Sequence, residues 1–165
     1  MVIRERGKIQ GARVKGGFFM EKREIFGHIE RIIEEAKTAV LATVDENKGP
    51  HLRWMTPALL RGREGAVFAV AYRTSQKVTQ VRSNPRVQWI FQSPALDRIA
   101  VVDGMVNILD NPSIRSEVLE VVGSRLRAFW KMYGDERDLL VLETVIERAQ
   151  YYLPMKGIKE TVSFA

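Results

Sequence analysis

The chain contains no cysteine, which excludes disulfides, thiolate nucleophiles and Cys-ligated zinc or iron–sulfur centres. Histidine is nearly as scarce, with two in 165 residues. Neither His28 nor His51 stands at a metal-ligand spacing, so no metal site is expected. No apolar run approaches the roughly 20 residues that a membrane-spanning helix needs, and no membrane partner is expected. The N-terminus carries charges but not the apolar stretch of a secretory signal. A cytoplasmic location follows as the expectation, and a reducing compartment is compatible with the lack of thiols. Also missing are a serine-nucleophile motif, paired carboxylates in a recognisable setting and a phosphate-binding glycine loop. Hydrolytic chemistry therefore has no visible carrier. There is no internal repeat or low-complexity segment.

What is present describes an ordinary folded domain. Hydrophobic residues make up 45% and charged residues 28% of the chain, and the length suits one domain with a proper core. The net charge of +6 suggests nucleic acid until it is located. Arg4, Arg6, Lys8, Arg13 and Lys15 against Glu5 place +4 of it in residues 1–19, leaving +2 for the rest. The basic character belongs mainly to a glycine-containing extension without sustained periodicity, expected to be flexible. Nucleic-acid binding is not favoured, because no reading helix or clustered basic face accompanies the tail. Residues 20–165 are expected to form the single domain. Met20 directly precedes its first helix and marks an alternative start of the native chain.

Ile25, Ile29, Ile32 and Ile33 repeat at helical spacing within 21–36. Residues 38–45 and 50–60 read as strands around the Asn47-Lys48-Gly49 turn, with Pro57 marking an edge, bulge or opening. Residues 66–72 form a third strand, and 76–83 a short helix stopped by Asn84-Pro85. Strands at 86–92 and 99–109 follow. Asn111-Pro112 then opens a helix carrying Ile114, Val118, Leu119, Val122 and Leu126, with helical character continuing through Phe129, Trp130 and Met132. The segment 138–153 fits either a helix or a strand on periodicity alone. Short connections between strands, with helices at one end and late, argue for a small antiparallel barrel. The second strand is apolar on both faces, with Leu52, Trp54 and Ala58 on one and Met55, Pro57 and Leu59 on the other. A barrel interior covers only one face, so the other is free for a second subunit or a flat ligand.

Chemistry concentrates at Arg73-Thr74-Ser75-Gln76-Lys77, between the third strand and the short helix. Hydroxyls, free backbone N–H groups and a lysine at a helix start suit a phosphate. The plain alternative is a serine N-cap beside an exposed lysine, but a first-turn lysine opposes the helix dipole unless an anion offsets it. Arg53 in His51-Leu52-Arg53-Trp54-Met55-Thr56-Pro57 offers a second cation within an otherwise apolar strand. A lone arginine is by default a solvated surface group. His51 lies on the same strand face, either as a ligand contact or as a strand-edge histidine in water.

The order Leu41-Ala42-Thr43-Val44-Asp45, Gly49-Pro50-His51-Leu52-Arg53-Trp54-Met55, Ser75-Gln76-Lys77, Val81 and Asn84-Pro85-Arg86-Val87 resembles the pyridoxamine 5'-phosphate oxidase-like split barrels, in particular their general stress protein branch. A fainter match runs through Val101-Val102-Asp103-Gly104 to Glu147-Arg148-Ala149-Gln150-Tyr151-Tyr152. The resemblance implies a mainly β fold with flanking helices: a six-stranded antiparallel split β-barrel, dimeric, whose last long strand is 138–153. It implies FMN at the homodimer interface, with Arg53 on phosphate or ring oxygens and Ser75 and Lys77 on the phosphate. Trp54, Met55 and Thr56 would line the ring through backbone and side-chain contacts, Thr74 would add a hydroxyl, and Tyr152 would stack near a flavin edge. Gln76 stands where oxidases proper carry arginine, which removes a charge from the phosphate grip. Ile99 replaces their usual glutamine, Tyr152 their tryptophan, and the tail 155–165 has no arginine for a substrate phosphate. These departures argue against pyridoxamine phosphate oxidation itself. The expected function is an FMN-dependent oxidoreductase on an unidentified small molecule, since a flavin supplies the redox chemistry that the protein lacks. A deazaflavin-dependent reductase and a non-catalytic flavin- or haem-binding protein are the alternatives.

Overall fold

The computed structural model describes residues 20–125 and 135–164. The basic extension 1–19 and the helical continuation through Leu126, Phe129, Trp130 and Met132 lie outside the described residues. In chain order the elements are α1 (Lys22–Ala36), β1 (Ala39–Val44), β2 (Pro50–Met55), β3 (Ala66–Tyr72), α2 (Gln76–Ser83), β4 (Arg86–Gln92), β5 (Ile99–Leu109), α3 (Pro112–Arg125), β6 (Leu139–Leu153) and β7 (Ile158–Ser163).

All seven strands join one antiparallel sheet in the order β2-β1-β4-β5-β6-β3, with β7 also on β6. The expected six strands are thus seven. After a left-handed Gly157, residues 158–163 turn back along β6, and only Val162 among them is buried. A strand with one buried residue has no alternating pattern to announce it. β6 pairs with β5 along one edge and divides the other edge between β3 and β7. The sheet is not closed. Past the end of β2, the isolated bridge Ala58–Phe68 ties the chain to β3 through two backbone hydrogen bonds of 2.7 and 2.8 Å. The second strand ends at Met55 rather than at residue 60, with Pro57 between it and that bridge.

Two apolar clusters hold the sheet. On one face α1 sets Ile25, Ile29, Ile32 and Ile33 against Leu41, Trp89, Phe91, Val102, Ala149 and Tyr151. On the other side, Val118, Leu119 and Val122 of α3 pack on Phe68, Val70, Leu139 and Val141. The Trp89 indole N–H donates to Thr144 Oγ1 at 3.0 Å, so its burial leaves no polar group unpaired. At the β5 bulge, a side chain on Gly104 would collide with the Val145 carbonyl oxygen, which requires glycine there.

His28 of α1 stacks on Tyr151, with ring centroids 4.4 Å apart and planes at 15°. Burial, then the charge of Arg31, holds its imidazole pKa below the ordinary value; Glu24 opposes and Arg98 adds to this. The unfolded chain then binds the proton more readily than the folded one. Stability is full above about pH 6.5 and falls as the pH drops from there toward the folded pKa. His28→Phe, which keeps a stacking ring, is expected to flatten this part of the acid slope. Denaturant unfolding at pH 7.5 and 5.5 measures it; equal slopes in both proteins would refute the assignment.

Candidate functional site

β2 is an end strand, and its residues alternate between two environments. His51, Arg53 and Met55 face the side carrying α1 and α2, whereas Leu52 and Trp54 point the other way and are 72% and 68% exposed. The Asp45 N–H bonds the Gly49 carbonyl at 3.0 Å, which sets the pairing phase of the hairpin. His51, Arg53 and Met55 therefore bond their backbones to β1, and the N–H and C=O groups of Leu52 and Trp54 point to the free edge.

Arg53 reaches inward to a buried polar pair. Its Nη1 donates to Thr43 Oγ1 at 2.6 Å and its Nη2 to Gln80 Oε1 at 2.9 Å. Thr43 in turn donates to Gln80 Oε1 at 2.7 Å. Lys77, on the turn of α2 before Gln80, is half-buried. Burial and then the nearby Arg53 guanidinium hold its ammonium pKa below the usual lysine value. Burial also lowers the pKa of Arg53, which nevertheless keeps its proton. Among the described residues, neither cation has an acidic partner.

Ser75 occupies the N-cap position of α2, but its hydroxyl makes no cap hydrogen bond. Its Oγ is buried and has no hydrogen-bond partner. A buried hydroxyl without a partner costs about 1–3 kcal/mol. Two residues on stands Lys77, which feels the like charge of Arg53 with no acidic partner among the described residues. A single oxyanion would offer an acceptor to the hydroxyl and a counter-charge to the cations, and the N-terminal end of α2 would favour it.

The other residues expected at the site are distributed differently. Met55 shares Arg53's face and is buried in the core, and Thr56 is half-buried beyond it. Thr74 and Gln76 are exposed at the start of α2. Trp54 lies on the opposite face. Tyr152, 38% exposed, sits on β6, four strands along the sheet from β2. One protomer does not bring Tyr152 and Arg53 together. His51 Nε2 is engaged with Asp45 Oδ2 at 2.8 Å, while Asp45 Oδ1 accepts from the N–H groups of Asn47 and Gly49. These bonds, that from His51 first, hold the Asp45 carboxyl below the usual carboxylate range. Thr43 and Gln80 were absent from the expected set. Thr43 carried a signal, a polar residue in strand phase with the core residues Ala39 and Leu41, whereas nothing in the pattern of α2 singles out Gln80.

The sequence matches the pyridoxamine 5'-phosphate oxidase family over residues 25–152. The chain belongs to that family. Solved structures agree on the fold. General stress protein 26 from Bacillus anthracis str. Sterne superposes with a TM-score of 0.66 at 19% identity, covering 85% of this chain and 98% of its own. An F420 reductase gives 0.59 at 19% identity, with coverage of 73% and 94%. A heme binding protein from Mycobacterium smegmatis gives 0.65 at 16%, with coverage of 82% and 57%. At these identities the pyridoxamine 5'-phosphate oxidase fold is what they share with this chain. Among the described residues no helix is long and apolar enough to cross a membrane.

Proposed function

We propose that this member of the pyridoxamine 5'-phosphate oxidase family is a homodimeric flavoprotein that holds FMN noncovalently and acts as an oxidoreductase on a small molecule. The observation that carries this reading is the unsatisfied Ser75 hydroxyl beside the two unneutralised cations Lys77 and Arg53. These residues fit a phosphomonoester: two charges and a hydroxyl match its oxygens. The free-edge backbone groups of Leu52 and Trp54 suit the polar rim of a planar heterocycle lying along β2. When bound, FMN supplies hydride or single-electron transfer. The chain's own part is to anchor the phosphate, align the ring against β2 and exclude water from it.

The second subunit is expected on the face opposite α1. Register places Trp54, Val40, Ile90 and Val101 side by side across four strands, an apolar row in which Trp54 is exposed and the other three are half-buried. Beside it Asp103 accepts hydrogen bonds from Gln88 and Arg148, and Arg86 pairs with Glu147. The rim is thus internally neutralised and does not repel a second copy. A two-fold partner would bring its Tyr152 face toward the β2 edge, which one protomer cannot do.

The solved F420 reductase favours one further reading, because a deazaflavin also carries a phosphate and the same cradle would hold it. A single experiment tests both. Protein purified without a tag is expected to be yellow and to release FMN at about one per chain, identified by mass. Release of a deazaflavin would transfer the reading to that cofactor. A colourless protein that refuses added FMN would refute both. Reduction of bound FMN by NADH or NADPH would separate an oxidoreductase from a carrier.

A further inference from the structure

The support beneath Arg53 is built only of neutral acceptors. Gln80, 7% exposed, lies on α2, and Thr43, 1% exposed, on β1. The directions of the three hydrogen bonds are fixed by chemistry. A guanidinium only donates, so the Gln80 amide must turn its oxygen to Arg53. Thr43 accepts from Arg53 and therefore spends its own proton on the same oxygen. The arrangement fixes Nη1 and Nη2 at 2.6 and 2.9 Å from their acceptors without cancelling any charge. Buried or half-buried arginines are ordinarily held by carboxylates. Here a glutamine occupies the place where a glutamate of the same shape would fit.

We propose that Gln80 and Thr43 are positioning residues for oxyanion binding: they orient Arg53 while preserving its full positive charge for the phosphate. The proposal rests on, and deepens, the phosphate end of the flavin reading. A neutral acceptor leaves the remaining N–H groups of Arg53 and the Lys77 ammonium acting together on an anion. A carboxylate at position 80 would pair with Arg53, relieve the repulsion between the two cations, and present a negative charge to the incoming phosphate. Anion affinity and stability of the free protein then move in opposite directions. A side chain with only a packing role would move both the same way.

The test compares the full-length wild type with Gln80→Glu. FMN and riboflavin affinities are measured by fluorescence quenching, and unfolding midpoints of the flavin-free proteins with and without inorganic phosphate. Gln80→Glu is expected to weaken FMN about 100-fold while riboflavin changes by no more than about threefold. The flavin-free variant is expected to unfold no earlier than wild type, and phosphate should no longer raise its midpoint. Unchanged FMN affinity, or equal losses for FMN and riboflavin, would overturn the proposal. Should Gln80→Glu not fold, Thr43→Val serves instead. It is expected to lose about tenfold on FMN and nothing comparable on riboflavin, and a missing split overturns the proposal again. A wild type that binds neither flavin refutes the flavin reading alone. The proposal is then decided by inorganic phosphate, which must stabilise wild type and not Gln80→Glu.

Discussion

Lys77→Ala is expected to weaken FMN binding about 100-fold, because a hydrogen bond to a charged group contributes about 1.5–3 kcal/mol and each 1.4 kcal/mol is a factor of ten. The riboflavin affinity should hardly change, which confines the loss to the phosphate. The same lysine predicts a pH dependence. In the free protein its pKa lies below the ordinary lysine value, from burial and then from Arg53. A bound phosphate restores the charged form, so above the free-state pKa each binding event takes up a proton. FMN affinity should therefore hold at neutral pH and fall at alkaline pH, by up to tenfold per pH unit above the free-state Lys77 pKa. The flavin-free protein should follow the reverse trend in this one contribution. Its unfolded state binds that proton more readily, so the destabilisation is present below the unfolded lysine pKa and is relieved as pH rises through the interval between the two. Riboflavin carries the same ring without the phosphate and serves as control. A pH profile shared by FMN and riboflavin, or a Lys77→Ala protein that keeps FMN as tightly as wild type, would remove Lys77 from the phosphate.

The cationic part of the site was legible because its residues break local rules. Lys77 opposes a helix dipole, and Arg53 interrupts an apolar strand. The supporting part was less visible. Thr43 reads as a good strand former and Gln80 as one more polar residue on an eight-residue helix. Only the pairing of β1 with β2 and the packing of α2 reveal that both face inward under Arg53. The helix-or-strand ambiguity of 138–153 has a similar origin. Leu139, Leu140, Val141 and Leu142 are all buried, because successive residues of β6 point alternately into the two apolar clusters. A strand buried on both faces loses the period of two that would separate it from a helix. Residues 50–60, expected as one strand apolar on both faces, form a strand only to Met55. The break at Pro57 reassigns Ala58 to the core, and leaves Leu52 and Trp54 as the exposed pair.

That exposed pair carries the largest expected effect. Trp54→Asp is expected to raise the dimer dissociation constant about 1,000-fold, since a central aromatic anchor is worth about 2–4 kcal/mol and an unpaired carboxylate in its place adds a desolvation cost. Sedimentation velocity at micromolar concentration should show the wild type as a dimer and the variant as a monomer. Stability of the protomer should change little, because Trp54 is 68% exposed and makes no part of either core cluster. The functional consequence follows from the two faces of β2. Arg53, Lys77 and Ser75 lie on the side away from Trp54, so inorganic phosphate should still raise the unfolding midpoint of the monomer. FMN, whose ring is proposed to rest between two subunits, should bind much more weakly to it. A monomeric variant that keeps full FMN affinity would place the whole flavin on one chain. A variant that remains dimeric would move the subunit contact off the row formed by Val40, Trp54, Ile90 and Val101. Loss of FMN together with the phosphate response would mean that the substitution damaged the cradle, and with it the separation of the two faces on which this reading depends.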